Sequence, residues 1–490
     1  MMILAIVFPI LWGLALLIMP EFKKRSSLIS ATGTGLVSSA LLTLPIIFSE
    51  GTQKVYLFSL GKNMNLFFCA DTVGKLFAGV VLFVWILAGF FAFEYMKHEQ
   101  EEKRYFGFYI LVYGILNALC FSGSMVTYYL FYEAMTLLSM PLILHSKTKE
   151  AIMGGLKYLF YSIFGAYLVL FGIFFLSKYT QTLDFVAGGT LNTTALSGKE
   201  GILFVAAFCM IVGFGVKGGL FPLHAWLPAA HPVAPAPASA VMSAIIVKMG
   251  VLGILRSVYY VIGADFLRGT WVQSAWLGLA IFTVFMGSML AYREKVLKKR
   301  LAYSSVSQVS YILFGMGLLQ PQALTGSLLH VVFHAMIKST LFLCAGAIIY
   351  QTGKTYVTDL KGIGKKMPLT MWAYTFASLA LIGIPPASGF ISKWHLAMGA
   401  LESEIPVFGW LGPVVLLVSA LLTAGYLLPI TIQGFLPGED FSYSTLKTCE
   451  PVKMMLVPVM ILGMLTIILG VFPNPLMDVI TSVVSTVFNW

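Results

Sequence analysis

The chain has 490 residues, of which 59% are hydrophobic and only 10% charged, with a mean hydropathy of +0.89. A water-soluble core of this size cannot hide so much apolar surface, whereas a bilayer accepts helices of roughly 20 apolar residues each, so the composition excludes an ordinary soluble enzyme or binding domain. A formal charge of +11 invites a nucleic-acid reading, but the basic residues fall mostly in short loops between apolar runs, which makes them a topology signal and not a nucleic-acid footprint.

Taken in chain order, apolar runs long enough to cross a bilayer are expected near 1–19, 28–48, 72–93, 105–122, 124–145, 151–177, 201–220, 232–262, 271–290, 301–319, 322–350, 370–394, 407–434 and 454–472. The first run has no basic residue before it and is followed by Lys23, Lys24 and Arg25, which reads as an uncleaved span. The sequence thus predicts an all-α integral membrane protein of about 14 transmembrane helices. Alternate loops carry nearly all the positive charge: 23–25, 97–104, 147–149, 293–300, 354–366 and the pair Lys447 and Lys453. The other set holds only Lys54, Lys62, Lys178, Lys199 and Arg268. That asymmetry places the basic loops in the cytoplasm and both termini outside. After the last span, Leu476, Val479, Ile480, Val483, Val484, Val487 and Phe488 recur at helical spacing, predicting an amphipathic tail on the outer surface or against a partner.

Several chemistries lack their residues. The five cysteines (Cys69, Cys120, Cys209, Cys344, Cys449) form no C-x-x-C pair, so no iron–sulfur, zinc or c-type haem spacing exists, and the chain is expected to carry no cofactor and no metal. Thr352-Gly353-Lys354-Thr355 resembles the end of a phosphate loop, but Ile348 stands where its first glycine belongs. No hydrolytic motif is present.

The informative residues are charges left inside the apolar runs. A charge at a helix centre costs roughly 2.5–3.5 kcal/mol even on lenient insertion scales, so each needs an escape or a purpose. Lys75, Lys157 and Arg256 sit near span edges and are expected to snorkel. Lys217, Lys248, Lys338, Lys393 and Glu133, the only acid deep in a span, have no such exit. Two of them adjoin helix breakers: Lys217 precedes Gly218, Gly219 and Pro222, and Lys393 follows Pro385, Pro386 and Gly389. Irregular backbone at membrane depth is tolerated only where protein or water satisfies the freed carbonyls, so both breaks read as parts of a hydrated charge path.

Lys217 and Lys393 are 176 residues apart, and the same offset carries span 5 onto span 10 and span 8 onto span 13. A five-helix unit repeated once must be inverted in the membrane. The expected organisation is an N-terminal three-helix segment (1–104), two inverted five-helix repeats (105–262, spans 4–8, and 271–434, spans 9–13) with broken helices 7 and 12, and a last helix with its tail (435–490). His330, His334 and Lys338 follow at i, i+4 and i+8, a stripe of titratable groups down one helix face. His224 and His231, near the connection between spans 7 and 8, cap helix ends as readily as they carry protons.

The stretches FYEAM around Glu133, GVKGGLFPLHAWLP around Lys217, HPVAPAPASAVMSAIIVKMG around Lys248, AYSSVSQ at 302–308, LLHVVFHAMIKSTLFL at 328–343 and GIPPASGFISKW around Lys393 together resemble the antiporter-like subunits shared by respiratory complex I, Mrp-type cation/proton antiporters and membrane-bound energy-converting hydrogenases. The resemblance implies a fourteen-helix fold in a prokaryotic cytoplasmic membrane. It also implies association with other membrane subunits, further antiporter-like ones included, and a line of protonatable groups at mid-membrane depth. By motif, Glu133 is similar to the glutamate that contacts a neighbouring subunit, Lys217 to the lysine of the first broken helix, Lys248 to the span 8 relay and Lys393 to the group opening toward one aqueous side. His330, His334 and Lys338 resemble the link between the halves. On this reading Glu133 pairs with Lys217, and opening of the pair sends protons toward Lys248. One departure is that Ala229 and Ala230 stand where many relatives place an acid before the histidine. The version HPVAPAPASA is closer to the hydrogenase-associated branch. A self-contained secondary transporter and a non-conducting scaffold subunit remain as other readings.

Overall fold

The computed structural model describes residues 1–61, 64–439, 441–443, 446 and 449–488; Lys62 and Lys447, two of the loop charges, lie outside the described residues. The protein is predominantly helical. The helices used below are α1 Met2–Ile18, α2 Arg25–Ile47, α3 Thr72–Tyr95, α4 Glu102–Cys120, α5 Met125–Ile143, α6 Lys149–Tyr179, α7 Glu200–Gly218, α8 Trp226–Val233, α9 Ala236–Ile262, α10 Trp271–Arg293, α11 Leu297–Gly317, α12 Pro321–Thr352, α13 Pro368–Ile382, α14 Ser388–Glu402, α15 Phe408–Phe435, α16 Lys453–Val471 and α17 Asn474–Phe488. Among the described residues nine of these helices are long and apolar enough to cross a membrane.

The apolar residues are distributed as a bilayer demands. α12 and α9 are almost wholly enclosed by other helices. On α2, α6 and α15, by contrast, large apolar side chains such as Leu41, Phe160, Phe174 and Leu421 face outward, which in water would be an aggregation surface and in lipid is the expected contact. α11 is buried yet rich in serine: Ser304, Ser305, Ser307, Gln308 and Ser310 are all inside the protein.

Two helices are interrupted where the glycines and prolines predict it. α7 ends at Gly219, whose φ of 77° suits glycine, and a Cβ there would approach Leu227 to 2.5 Å. Residues 219–225 then turn before α8 resumes, and Trp226 Nε1 donates at 2.8 Å to the Val216 carbonyl, which also accepts from Gly219 N (3.0 Å). α13 ends at Gly383, φ 94°, and α14 begins at Ser388. Gly389 lies inside α14 and not in the break; it allows the returning chain to pass Ala380, whose carbonyl oxygen would sit 1.8 Å from a Cβ. The terminating glycines are 164 residues apart (219 to 383) while the lysines are 176 apart (217 to 393). Lys217 therefore precedes its break and Lys393 follows its own, the order in which the sequence places lysines and breakers.

The loops gather at two opposite ends. At one end Lys103 Nζ donates to Met19 O (2.8 Å), Arg25 pairs with Glu102 (2.9 Å), Lys147 pairs with Glu101, and the backbone of 295–297 bonds to 355–357. This is the basic-loop set. At the other end Asn65 reaches Asp184 (3.3 Å), Val186 N donates to Tyr260 O (3.2 Å) and Arg268 to Leu319 O (2.9 Å). That end also carries an antiparallel hairpin, β1 Gln53–Ser59 with β2 Asn65–Ala70, in a stretch that the hydropathy pattern marks only as a connection between spans. The tail helix α17 buries Ile480, Val483, Val484 and Val487 against α12 and α3, while Val479 of the same stripe stays exposed.

Candidate functional site: a buried line of lysines and histidines

α7 delivers Lys217 to a fully buried position, where its Nζ donates to Thr136 Oγ1 (2.8 Å) on α5 and to Tyr158 OH (2.9 Å) and Ser162 Oγ (2.9 Å) on α6. Three hydroxyl acceptors match the three donors of an ammonium, so the group is solvated by protein. Glu133 is not its partner: no ion pair joins them among the described residues, and Glu133 Oε1 is buried without a hydrogen bond. The carboxylate sits on α5 one turn before Thr136, close enough for its charge to act on Lys217. The expected Glu133–Lys217 pair is thus open, because the hydroxyls compete successfully for the ammonium.

Gly250 permits the next approach. A Cβ there would come within 2.7 Å of Lys217 Cβ, so only a bare backbone lets α9 pass this turn of α7. Two residues earlier, Lys248 follows a wide helical turn at Met242–Ile246 that frees a carbonyl, and its Nζ donates to Ser243 O at 2.7 Å. The same Nζ lies 2.6 Å from His334 Nδ1 on α12. No hydrogen bond among the described residues connects Lys217 with Lys248.

From His334 the contacts run on. Its ring stacks with that of His330 (centroids 5.7 Å), and His330 Nδ1 is 2.9 Å from Ser392 Oγ on α14. The His330 ring also stacks on Tyr311 (5.7 Å), and the Lys393 ammonium lies 5.0 Å from the centre of that same tyrosine ring. Lys393 Nζ donates to Leu381 O (2.6 Å) and Ile382 O (2.9 Å), the carbonyls left open where α13 breaks. Lys338, one turn beyond His334, is held by Leu301 O (2.9 Å) and Ser304 Oγ on α11.

The structure therefore brings Lys248, His334, His330 and Lys393 into one chain of contacts, with Lys338 beside it. It leaves Lys217 in a hydroxyl cradle of its own and Glu133 unpaired. Thr136, Tyr158, Ser162, Tyr311 and Ser392 carry no signal in the sequence; hydroxyls are abundant and uncharged, so only their position distinguishes them. Of the residues expected to snorkel, Lys157 is exposed and Lys75 bonds to loop carbonyls of Ser49 and Gly51 (both 2.6 Å). Arg256 does not snorkel. It is buried and forms a two-pronged pair with Asp71 (2.5 and 2.6 Å), the residue that also caps the start of α3. Its own helix gives no hint of a partner 185 residues away. Among the described residues no group of three or more His, Cys, Asp or Glu could hold a metal ion.

A helical integral membrane protein with a polar, charge-bearing interior is the class that fold and site define. The chain belongs to the family described as NADH:quinone oxidoreductase/Mrp antiporter, transmembrane, which matches residues 122–423. It is similar to NADH-quinone oxidoreductase subunit N of Desulforudis audaxviator, 32% identical over 84% of this chain and 82% of that protein. It is also similar to a component of the Na(+)/H(+) antiporter of Alkalihalophilus pseudofirmus, 29% identical over 97% of this chain and 94% of that protein. Its fold matches a chain of the membrane-bound sulfane sulfur reductase, an archaeal respiratory membrane complex, with a TM-score of 0.84 at 23% identity over 99% of this chain and 97% of that one.

Proposed function

We propose that this protein is a proton-translocating membrane subunit, with or without sodium exchange, of a multisubunit Mrp-type or energy-converting hydrogenase-type assembly. The observation that carries the reading is the run of contacts from Lys248 through His334 and His330 to Lys393, enclosed by other helices with no carboxylate paired to it among the described residues. Architecture alone does not call for four proton-exchanging groups in a row at such desolvation cost. In this reading fourteen segments span the membrane, the two five-helix halves (105–262 and 271–434) are inverted repeats, both termini lie outside, and the basic loops face the cytoplasm. Glu133, half-buried with an unpaired oxygen, faces a neighbouring subunit. A charge arriving there draws the Lys217 ammonium out of its hydroxyl cradle; when it leaves, the proton is free to move toward Lys248.

The test is cation-dependent pH change in membrane vesicles carrying the assembled complex, with subunit content measured in the same vesicles. A well-assembled Lys217→Ala variant with normal translocation would refute the relay and favour a scaffold. Solute uptake by the protein reconstituted alone would favour a self-contained transporter.

A further inference from the structure

The buried line needs a source of protons, and Lys248, His334 and Lys338 are themselves shut off from water. Two cavities lie at the basic-loop end. The outer one, about 280 Å³, is lined by His98, Glu101, His145 and Lys147 together with Glu99 and Ser146. The inner one, about 150 Å³, is lined by Tyr95, Lys298, Thr355 and the Pro232–Pro235 connection, again with Glu99 and Ser146. Glu99 therefore stands on the partition between them.

Pro232, which lines the inner cavity, follows directly on a histidine with nothing to hold. His231 is fully buried, and neither ring nitrogen has a hydrogen-bond partner among the described residues. Its ring lies flat on Phe342 (4.7 Å, 18°), so the position of the imidazole is set by packing and not by polar contacts. Its own helix offers no acid, since Ala229 and Ala230 precede it. The charges that act on it are those of Lys298, Lys338 and Lys248, one lining the inner cavity and two belonging to the buried line. Lys298 is itself anchored, its Nζ donating to Pro232 O (3.1 Å) and Ala234 O.

We propose that Glu99 is a proton-collecting acid, which takes protons from water at the basic-loop face and passes them across the Lys298-lined cavity to His231, and from there to the Lys338 and Lys248 end of the buried line. The inference rests on the translocation reading above. The balance is simple: the carboxylate gains a proton from water, gives it inward to the neutral imidazole, and is left ready for the next. Glu99 is not a structural latch, for it has no ion pair within 4.0 Å among the described residues, and Lys298 directs two of its three donors to carbonyls. The groups facing Glu99 are Tyr95 and His98 on its own side, Glu101, His145 and Lys147 around the outer cavity, and Lys298 across the inner one. Burial pushes its carboxyl up, against the pull of Lys298 and His98, which brings its exchange nearer neutral pH where a collector works best.

The experiment uses the assembled complex in vesicles, comparing wild type with Glu99→Gln, Glu99→Asp and Lys217→Ala from about pH 6 to pH 9. Glu99→Gln is expected to slow translocation several-fold, most at the alkaline end where protons are scarce, and Glu99→Asp to recover most of the rate. A purely structural role would move neither the pH profile nor the rescue. If Lys217→Ala abolishes translocation while Glu99→Gln matches wild type at every pH, the proposal is overturned although the translocation reading stands. If Lys217→Ala is itself unaffected, the translocation reading has failed, and the proposal with it. An independent readout is thiol chemistry. Glu99→Cys should react with a small water-soluble cationic reagent applied from the basic-loop side beyond the level of the native cysteines, and protection of that thiol would overturn the proposal.

Discussion

Lys248 Nζ and His334 Nδ1 are 2.6 Å apart, on different helices, with no acid between them. At that distance one of the two must be the donor and the other the acceptor, so the pair holds a single proton. A second would add a repulsion of roughly 6 kcal/mol at an effective dielectric constant of about 20. Each residue is thus the other's proton acceptor. Replacing either by alanine should remove this proton exchange, leaving Lys248 only its bond to Ser243 O in the one case and His334 Nδ1 without a partner in the other, and lower translocation at least ~10-fold with normal assembly. The check is the vesicle assay with Lys248→Ala and His334→Ala; a well-assembled His334→Ala variant at wild-type rate would remove this contact from the path.

The Lys217 cradle predicts a graded series. Lys217→Ala and Glu133→Ala should abolish or strongly impair translocation while leaving assembly largely intact. Ser162→Ala, which removes one of three acceptors, should cost less, since a single hydrogen bond to a charged group is worth about 1.5–3 kcal/mol. Lys157→Ala, on the exposed face of α6, should change the rate less than ~2-fold, in keeping with the small effect of surface substitutions. Equal impairment by all four would show that the assay reports folding, not proton movement.

Arg256 separates structure from function. Removing one partner of a buried ion pair strands the other, at a cost of about 3–5 kcal/mol. Arg256→Ala should therefore reduce the amount and thermal stability of the protein in membranes, with whatever assembles translocating at a normal rate per subunit. Thermal aggregation of the detergent-solubilised complex, normalised to content, decides the matter.

Gly389→Ala tests the tight pass between α14 and α13. A methyl group 1.8 Å from the Ala380 carbonyl oxygen has no room, because the opposing atom belongs to helix backbone. Loss of folded protein is expected, whereas alanine at Gly353, with open space but φ 69°, should cost only about 1 kcal/mol. Western quantification of the membrane fraction for the two variants tests the order.

Topology is open to labelling. Single cysteines at 292–300 and 354–366 should be accessible from the cytoplasmic side, and those at 180–198 from outside. Labelling of both groups from one side would sink the proposed orientation.

The buried charges are legible in the sequence because lysine, glutamate and histidine are rare and costly in apolar runs; Lys217, Lys248, His330, His334, Lys338 and Lys393 stand out for that reason alone. The breaks at Gly219 and Gly383 are legible because glycine and proline act locally. What stays hidden depends on the meeting of distant segments. Arg256 finds Asp71 across 185 residues, Lys217 finds three hydroxyls on two other helices, and Glu99 meets the 232–235 connection only because loops far apart in sequence converge. The paired strands β1 and β2 escape because they are brief and sit between stronger helical signals. The even spacing of the two lysines suggests a simple duplication, yet the caps are spaced differently, so the breaks fall on opposite sides of their lysines.

α12 is in contact along its length with α3, α9, α11, α13, α14, α16 and α17. A helix enclosed on every side, at the packing density of protein interiors, cannot slide or roll without displacing all its neighbours. It is a stator. Any signal that crosses this protein from Glu133 toward Lys393 must then travel as rotamer changes and proton positions on a fixed frame, and a chemical crosslink between α12 and α9 away from Lys248 and His334 should leave turnover untouched.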